Sequence, residues 1–140
     1  MLNLPLKKLF ASSLWRFAIT GVLNTLVGLG TIYALKWFGN VEDTRANAAG
    51  YVVGVLFSLV LNSRWTFRSR ESLLRIAPRY FAVILVAYFA NLGCVHFLIR
   101  SLQVNSYLAQ ALGTIPYTTI TYLASRWWVF RRSHIAADAG

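Results

Sequence analysis

Acidic side chains are scarce: 140 residues hold four Asp and Glu against fourteen Lys and Arg, a net charge of +10. None of the four acids, Glu42, Asp43, Glu71 and Asp138, falls inside a long apolar run. That placement argues against a small proton-coupled exporter of cationic compounds, which needs a carboxylate in the membrane as proton carrier and counter-ion. A single cysteine, Cys94, allows no intrachain disulfide and no zinc framework. With two histidines, His96 and His134, no metal-ligand set, nucleophile with a base, or pair of catalytic carboxylates can be assembled. Neither an enzymatic role nor a metal or cofactor is expected. Charged residues make up only 13% of the chain and hydrophobic ones 57%. By the convention that drops Tyr and counts Gly the apolar share is about 59%, well above the 45–50% of soluble domains. Disorder is excluded, and the excess is too large for one small water-soluble core.

The apolar residues are gathered into four stretches free of charge, 17–35, 46–63, 80–99 and 101–125. At about 1.5 Å per helical residue, each reaches about 27 to 38 Å, enough for a hydrocarbon layer near 30 Å. Backbone groups in lipid must pair within their own segment, so the spans are expected to be helices. The reading is an all-α membrane protein with four transmembrane helices at about 16–38, 46–67, 79–99 and 104–130. These form two hairpins, preceded by a segment 1–15 and followed by a tail 133–140. The first run is longer than a signal-peptide core and is read as retained.

Cations set the orientation. The N-terminal segment, the middle loop with its helix ends, and the C-terminal end carry Lys7, Lys8, Arg16, Arg64, Arg68, Arg70, Arg75, Arg79, Arg126, Arg131 and Arg132. The two hairpin tips carry only Lys36, Arg45 and Arg100. The positive-inside rule therefore places both termini in the cytoplasm and makes anionic lipid, not nucleic acid, the partner of this charge. Trp15, Trp37, Trp65, Trp127 and Trp128 fall near span ends, with Trp65 and Trp128 as interface aromatics.

An internal repeat runs through the chain. An offset of 63 lays Ala46 on Ala109, Gly50 on Gly113, Ser58 on Thr121, Asn62 on Ser125, and Trp65-Thr66-Phe67-Arg68 on Trp128-Val129-Phe130-Arg131. For the first and third spans an offset of 67 superposes Asn24 on Asn91. Two hairpins of the same orientation imply a pseudo-two-fold axis along the membrane normal, as in parallel-repeat transporters. Gly50, Gly54, Ser58 and Gly113 read as helix-packing positions, since small residues let helices approach where lipid supplies no hydrophobic drive. A glycine-rich face also makes a homodimer plausible. Pro116 should kink the fourth helix near Leu112.

The polar groups that enter the bilayer are amides and hydroxyls. Asn24 and Asn91 could bond across the pseudo-axis. Together with Asn62, Thr121 and Ser125 they also form a candidate path for a polar headgroup. Arg64 and Arg126, at the cytoplasmic helix ends, are the first candidates to hold a lipid phosphate, with Arg16 and Arg79 completing a ring. A guanidinium grips phosphate in a bidentate manner while its stem stays among apolar neighbours.

The combination Arg16-Phe17-x6-Asn24-Thr25, then Asn62-Ser63-Arg64-Trp65-Thr66-Phe67, then Ser125-Arg126-Trp127-Trp128-Val129-Phe130 resembles the GtrA-like family of four-helix bacterial membrane proteins. The likeness runs from about Arg16 to Arg132, departing at Ser125, where family members often have Asn. It implies residence in the bacterial cytoplasmic membrane and translocation of a polyprenyl-phosphate-linked sugar, such as bactoprenol-linked glucose. Such sugars serve cell-surface polysaccharide synthesis or O-antigen modification. Membrane glycosyltransferases are the implied partners. The competing reading is a non-transporting anchor or assembly subunit for such a glycosyltransferase.

Overall fold

The computed structural model describes residues 4–131; Arg132 and the 133–140 tail lie outside the described residues. All regular structure in the described chain is helical, in the order α1 (Leu4–Gly39), α2 (Asp43–Leu61), α3 (Leu73–Arg100) and α4 (Ser106–Ala124). Both α2 and α4 run on into a five-residue π-helical turn, Asn62–Thr66 and Ser125–Val129. Two compact units divide between Leu73 and Leu74, one hairpin in each. α1 begins well before Arg16, because Lys7, Lys8 and their neighbours favour helix as well as the apolar run does.

Three stretches are long and apolar enough to cross a membrane: Ala11–Gly39, Asp43–Thr66 and Leu73–Arg100. α4 is not among them. It carries no charge, yet Gln110, Thr114, Thr118, Thr119 and Thr121 lower its hydropathy, which counting charged residues alone overlooks. Large apolar side chains face outward along every helix, among them Val22, Leu26, Val52, Leu85, Phe89 and Ile115. A surface of this kind is stable only in lipid. The chain is a multi-pass membrane protein.

The duplication is more regular than the sequence suggests, since one 63-residue period relates all four helices. α2 maps onto α4 and the first π turn onto the second, residue for residue. Each tip turns through a left-handed residue, Asn40 (φ 48°) and Gln103 (φ 50°). Each is closed by the same bond, from Val41 N–H to Leu35 O (3.2 Å) and from Val104 N–H to Leu98 O (3.0 Å). In both the N–H reaches back six residues to a carbonyl of the last helical turn, which would otherwise lack a partner. At the opposite end Phe17 meets Phe67 with ring centroids 6.4 Å apart, and their counterparts Tyr80 and Phe130 meet at 6.3 Å. The offset of 67 for the first and third helices is thereby corrected. Asn24 corresponds to Ala87 and Asn91 to Gly28, because Gly50 lies against Gly28 and Ile32 while Gly113 lies against Asn91 and Val95. A chance Asn-on-Asn match outweighed the weaker but correct Arg16-Phe17 over Arg79-Tyr80.

Candidate functional site

Gly50, Gly54 and Gly113 are buried. Asn24 Oδ1 sits 2.8 Å from where a Gly54 β-carbon would stand, and Asn91 Nδ2 2.8 Å from that of Gly113. Each asparagine is thus seated on a glycine of its own hairpin, one helical turn apart in repeat register. Because they are not repeat equivalents, symmetry gives no reason for them to meet. Asn24 Oδ1 is buried with no hydrogen-bond partner among the described residues.

Polar groups concentrate where α1 meets the first π turn. Closing a five-residue rather than a four-residue ring, Phe67 N–H bonds Asn62 O at 2.9 Å, and Phe130 N–H bonds Ser125 O at the same distance. Such turns are rare and recur at functional sites. In the first hairpin the turn buries Asn62, Ser63 and Thr66. Asn62 Nδ2 donates to Ser58 Oγ (3.1 Å), and the Thr20 and Thr66 hydroxyls meet at 3.0 Å. Ser63 Oγ is buried with no partner among the described residues, as is Ser125 Oγ in the second turn. Thr20, Thr66 and Ser63 escaped the sequence reading; only the 63-residue register of α1 against α3 would have drawn attention to them.

The four arginines are used unequally. Arg16 lies over the Trp65 ring, 6.0 Å from its centroid, with a long bond from Nη1 to Trp65 O of 3.4 Å. Arg64 is turned back on the connecting loop, donating from Nη1 to Ser69 O (2.8 Å) and Glu71 O (3.2 Å). The loop is further closed by Ser69 N–H on Ser63 O (2.7 Å) and Glu71 N–H on Ser69 Oγ (3.2 Å). Arg64→Gln should therefore raise amide exchange across residues 67–72 about tenfold, from loss of roughly 1.5 kcal/mol of charge-assisted bonding. Hydrogen exchange measured by mass spectrometry checks this, and unchanged protection would mean the clamp is not formed. Arg79 is the repeat counterpart of Arg16, whereas Arg126 corresponds to Ser63 and not to Arg64. Both are half-buried. Trp65 and Trp128 are equivalent and exposed, at 37% and 53%.

In α4 the Thr121 hydroxyl returns to Tyr117 O (2.7 Å) and Thr114 to Ala111 O (2.6 Å), on either side of Pro116. Thr121 thereby spends its proton within its own helix. Among the described residues there is no cluster of His, Cys, Asp or Glu able to hold a metal.

The profile of the GtrA/DPMS transmembrane domain matches residues 16–130, the interval holding both hairpins and both π turns. The chain belongs to this family. Among GtrA/DPMS relatives, the membrane protein YwcD of Bacillus subtilis is 28% identical over 121 residues, covering 84% of this chain and 95% of YwcD. The bactoprenol-linked glucose translocase of Salmonella phage P22 is 38% identical over 69 residues, 49% of this chain and 53% of that protein. A prophage bactoprenol-linked glucose translocase homolog of Escherichia coli is 34% identical over 68 residues, 49% of this chain and 53% of the relative. The resemblance seen in the sequence is thus to the right family.

Proposed function

We propose that this GtrA-family protein translocates a polyprenyl-phosphate-linked sugar, such as bactoprenol-linked glucose, across the bacterial cytoplasmic membrane. The observation that carries this reading is the 38% identity to the phage translocase over about half of this chain, set beside the guanidinium and hydroxyl groups gathered where α1 meets the first π turn. A phosphate is costly in hydrocarbon, and polar groups at the helix ends lower that cost while the polyprenyl tail stays in lipid. In this reading α4 crosses the membrane with the other three helices. At about 28 Å it matches its counterpart α2 in length and in both ends, and its hydroxyls bond their own backbone. Both termini are cytoplasmic, which puts Arg16, Arg64, Arg79 and Arg126 on the side where the lipid-linked sugar is made, in a leaflet rich in anionic lipid. Asn24, Asn62, Asn91, Thr121 and Ser125 line the headgroup's route. Membrane glycosyltransferases act before and after the passage, and the protein works as a homodimer.

Reconstituted in liposomes, the purified protein should speed transbilayer movement of labelled polyprenyl-phosphate glucose. Arg16→Gln should slow it about tenfold, the loss of one hydrogen bond to a charged group. Movement at the lipid-only rate, with retention of a glycosyltransferase by pull-down, would sink transport and favour an assembly subunit.

A further inference from the structure

The two hairpins share one backbone plan, and their differences isolate what the fold does not need. In the first, Thr20 and Thr66 are 1% and 3% exposed with their hydroxyls 3.0 Å apart. The 63-residue register puts Val83 and Val129 at the same places in the second, 4% and 0% exposed. Thr and Val have nearly the same shape, so the second hairpin shows that an apolar pair fills this position. It does so without the cost of burying hydroxyls. Packing therefore does not account for the threonines.

Two hydroxyls carry two protons, and the bond between them uses one. The first π turn adds the fully buried Ser63 Oγ, without a partner among the described residues; at the corresponding place the second hairpin has Arg126. Arg16 stands one turn from Thr20 on α1 and lies over the ring of Trp65, the residue before Thr66. Among the described residues Arg16 makes a single long and exposed bond, to Trp65 O, which a phosphate oxygen can replace at little cost.

Resting on the translocation reading, we infer that the phosphate-binding subsite for the lipid-linked sugar is confined to the first hairpin. Arg16 supplies the charge and Thr20, Thr66 and Ser63 the neutral donors. The second hairpin keeps the cation and indole of Arg79 and Trp128 but lacks the hydroxyl pair, so it does not hold the phosphate. A phospholipid headgroup offers the same phosphate, so the two lipid sources need separate measurement.

Native mass spectrometry of the detergent-solubilised protein would measure affinity for polyprenyl-phosphate glucose and, separately, phosphatidylglycerol. The double variant Thr20→Val/Thr66→Val should lose about tenfold or more in affinity for the sugar lipid, as expected for one hydrogen bond to a charged group. Its unfolding midpoint and its phosphatidylglycerol binding should stay at wild-type values. Thr20→Ser/Thr66→Ser should retain binding, and Val83→Thr/Val129→Thr should leave it unchanged. Sugar-lipid affinity within twofold of wild type in the Val variant overturns the inference, as does parallel loss of phosphatidylglycerol or loss of binding in the Ser variant. If the Val variant fails to bind while wild-type protein moves no lipid in liposomes, the subsite stands and transport falls. If the Val variant binds normally and wild-type protein does move lipid, transport stands and the subsite falls.

Discussion

Gly50→Leu should destabilise the first hairpin by about 3 kcal/mol, the upper end of what overpacking costs. A β-carbon at Gly50 would strike Ile32 Cγ1 and lie 2.7 Å from Gly28 O. The side chain can turn away, but the Gly28 carbonyl belongs to the backbone of α1, so a larger residue at Gly50 must push two helices apart. Lipid offers no hydrophobic force to hold them, and the lost dispersion contacts appear directly in stability. Gly113→Ala should cost less, since its neighbours at 2.5 and 2.8 Å are side-chain atoms, Val95 Cγ2 and Asn91 Nδ2. Gly30→Ala, with nothing within 4 Å, should hold steady or gain up to about 1 kcal/mol from helix propensity. Unfolding in mixed detergent micelles reads all three. Equal stability of Gly50→Leu and wild type would show that α1 and α2 do not pack at this point.

Phe130→Ala should cost about 2 kcal/mol or more. Phe130 is fully buried against Tyr80, itself fully buried. Truncation leaves a cavity lined by a stiff ring and a π turn, neither of which collapses readily. The value sits below the 3–5 kcal/mol typical of water-soluble cores because an unfolded helix in a bilayer exposes Phe to lipid and not to water, which removes much of the transfer contribution. Phe67→Ala, at the equivalent place in the first hairpin, should cost a similar amount, because Phe67 is 3% exposed and its ring partner Phe17 stands at nearly the same distance. The same unfolding assay checks the pair. A wide gap between the two costs would mean that the hairpins, though alike in backbone, are not alike in packing.

These contacts also mark what could be read before the fold was known. Charge-free runs, the Lys and Arg bias and the twin W-x-F-R ends specify helices, membrane residence and a duplicated chain, because each depends on residue type along one dimension. The register of α1 against α3 was not legible. Apart from Arg16 and Arg79 the two helices share little, and identity at Asn24 and Asn91 pointed to a wrong offset. Nor could the sequence show that Arg64 folds back onto Ser69 and Glu71, since wheel geometry assumes an α-helix and residues 62–66 form a π turn.

By itself, then, the sequence determined the solvent: a chain with so few charges and such long apolar runs can bury itself only in lipid. The tertiary structure decided which polar groups meet. Thr20 and Thr66 are 46 residues apart in sequence, and Val83 and Val129 stand in their places in the other hairpin. A hydroxyl's proximity to another is set by how two helices pack, a three-dimensional relation that composition and periodicity do not encode.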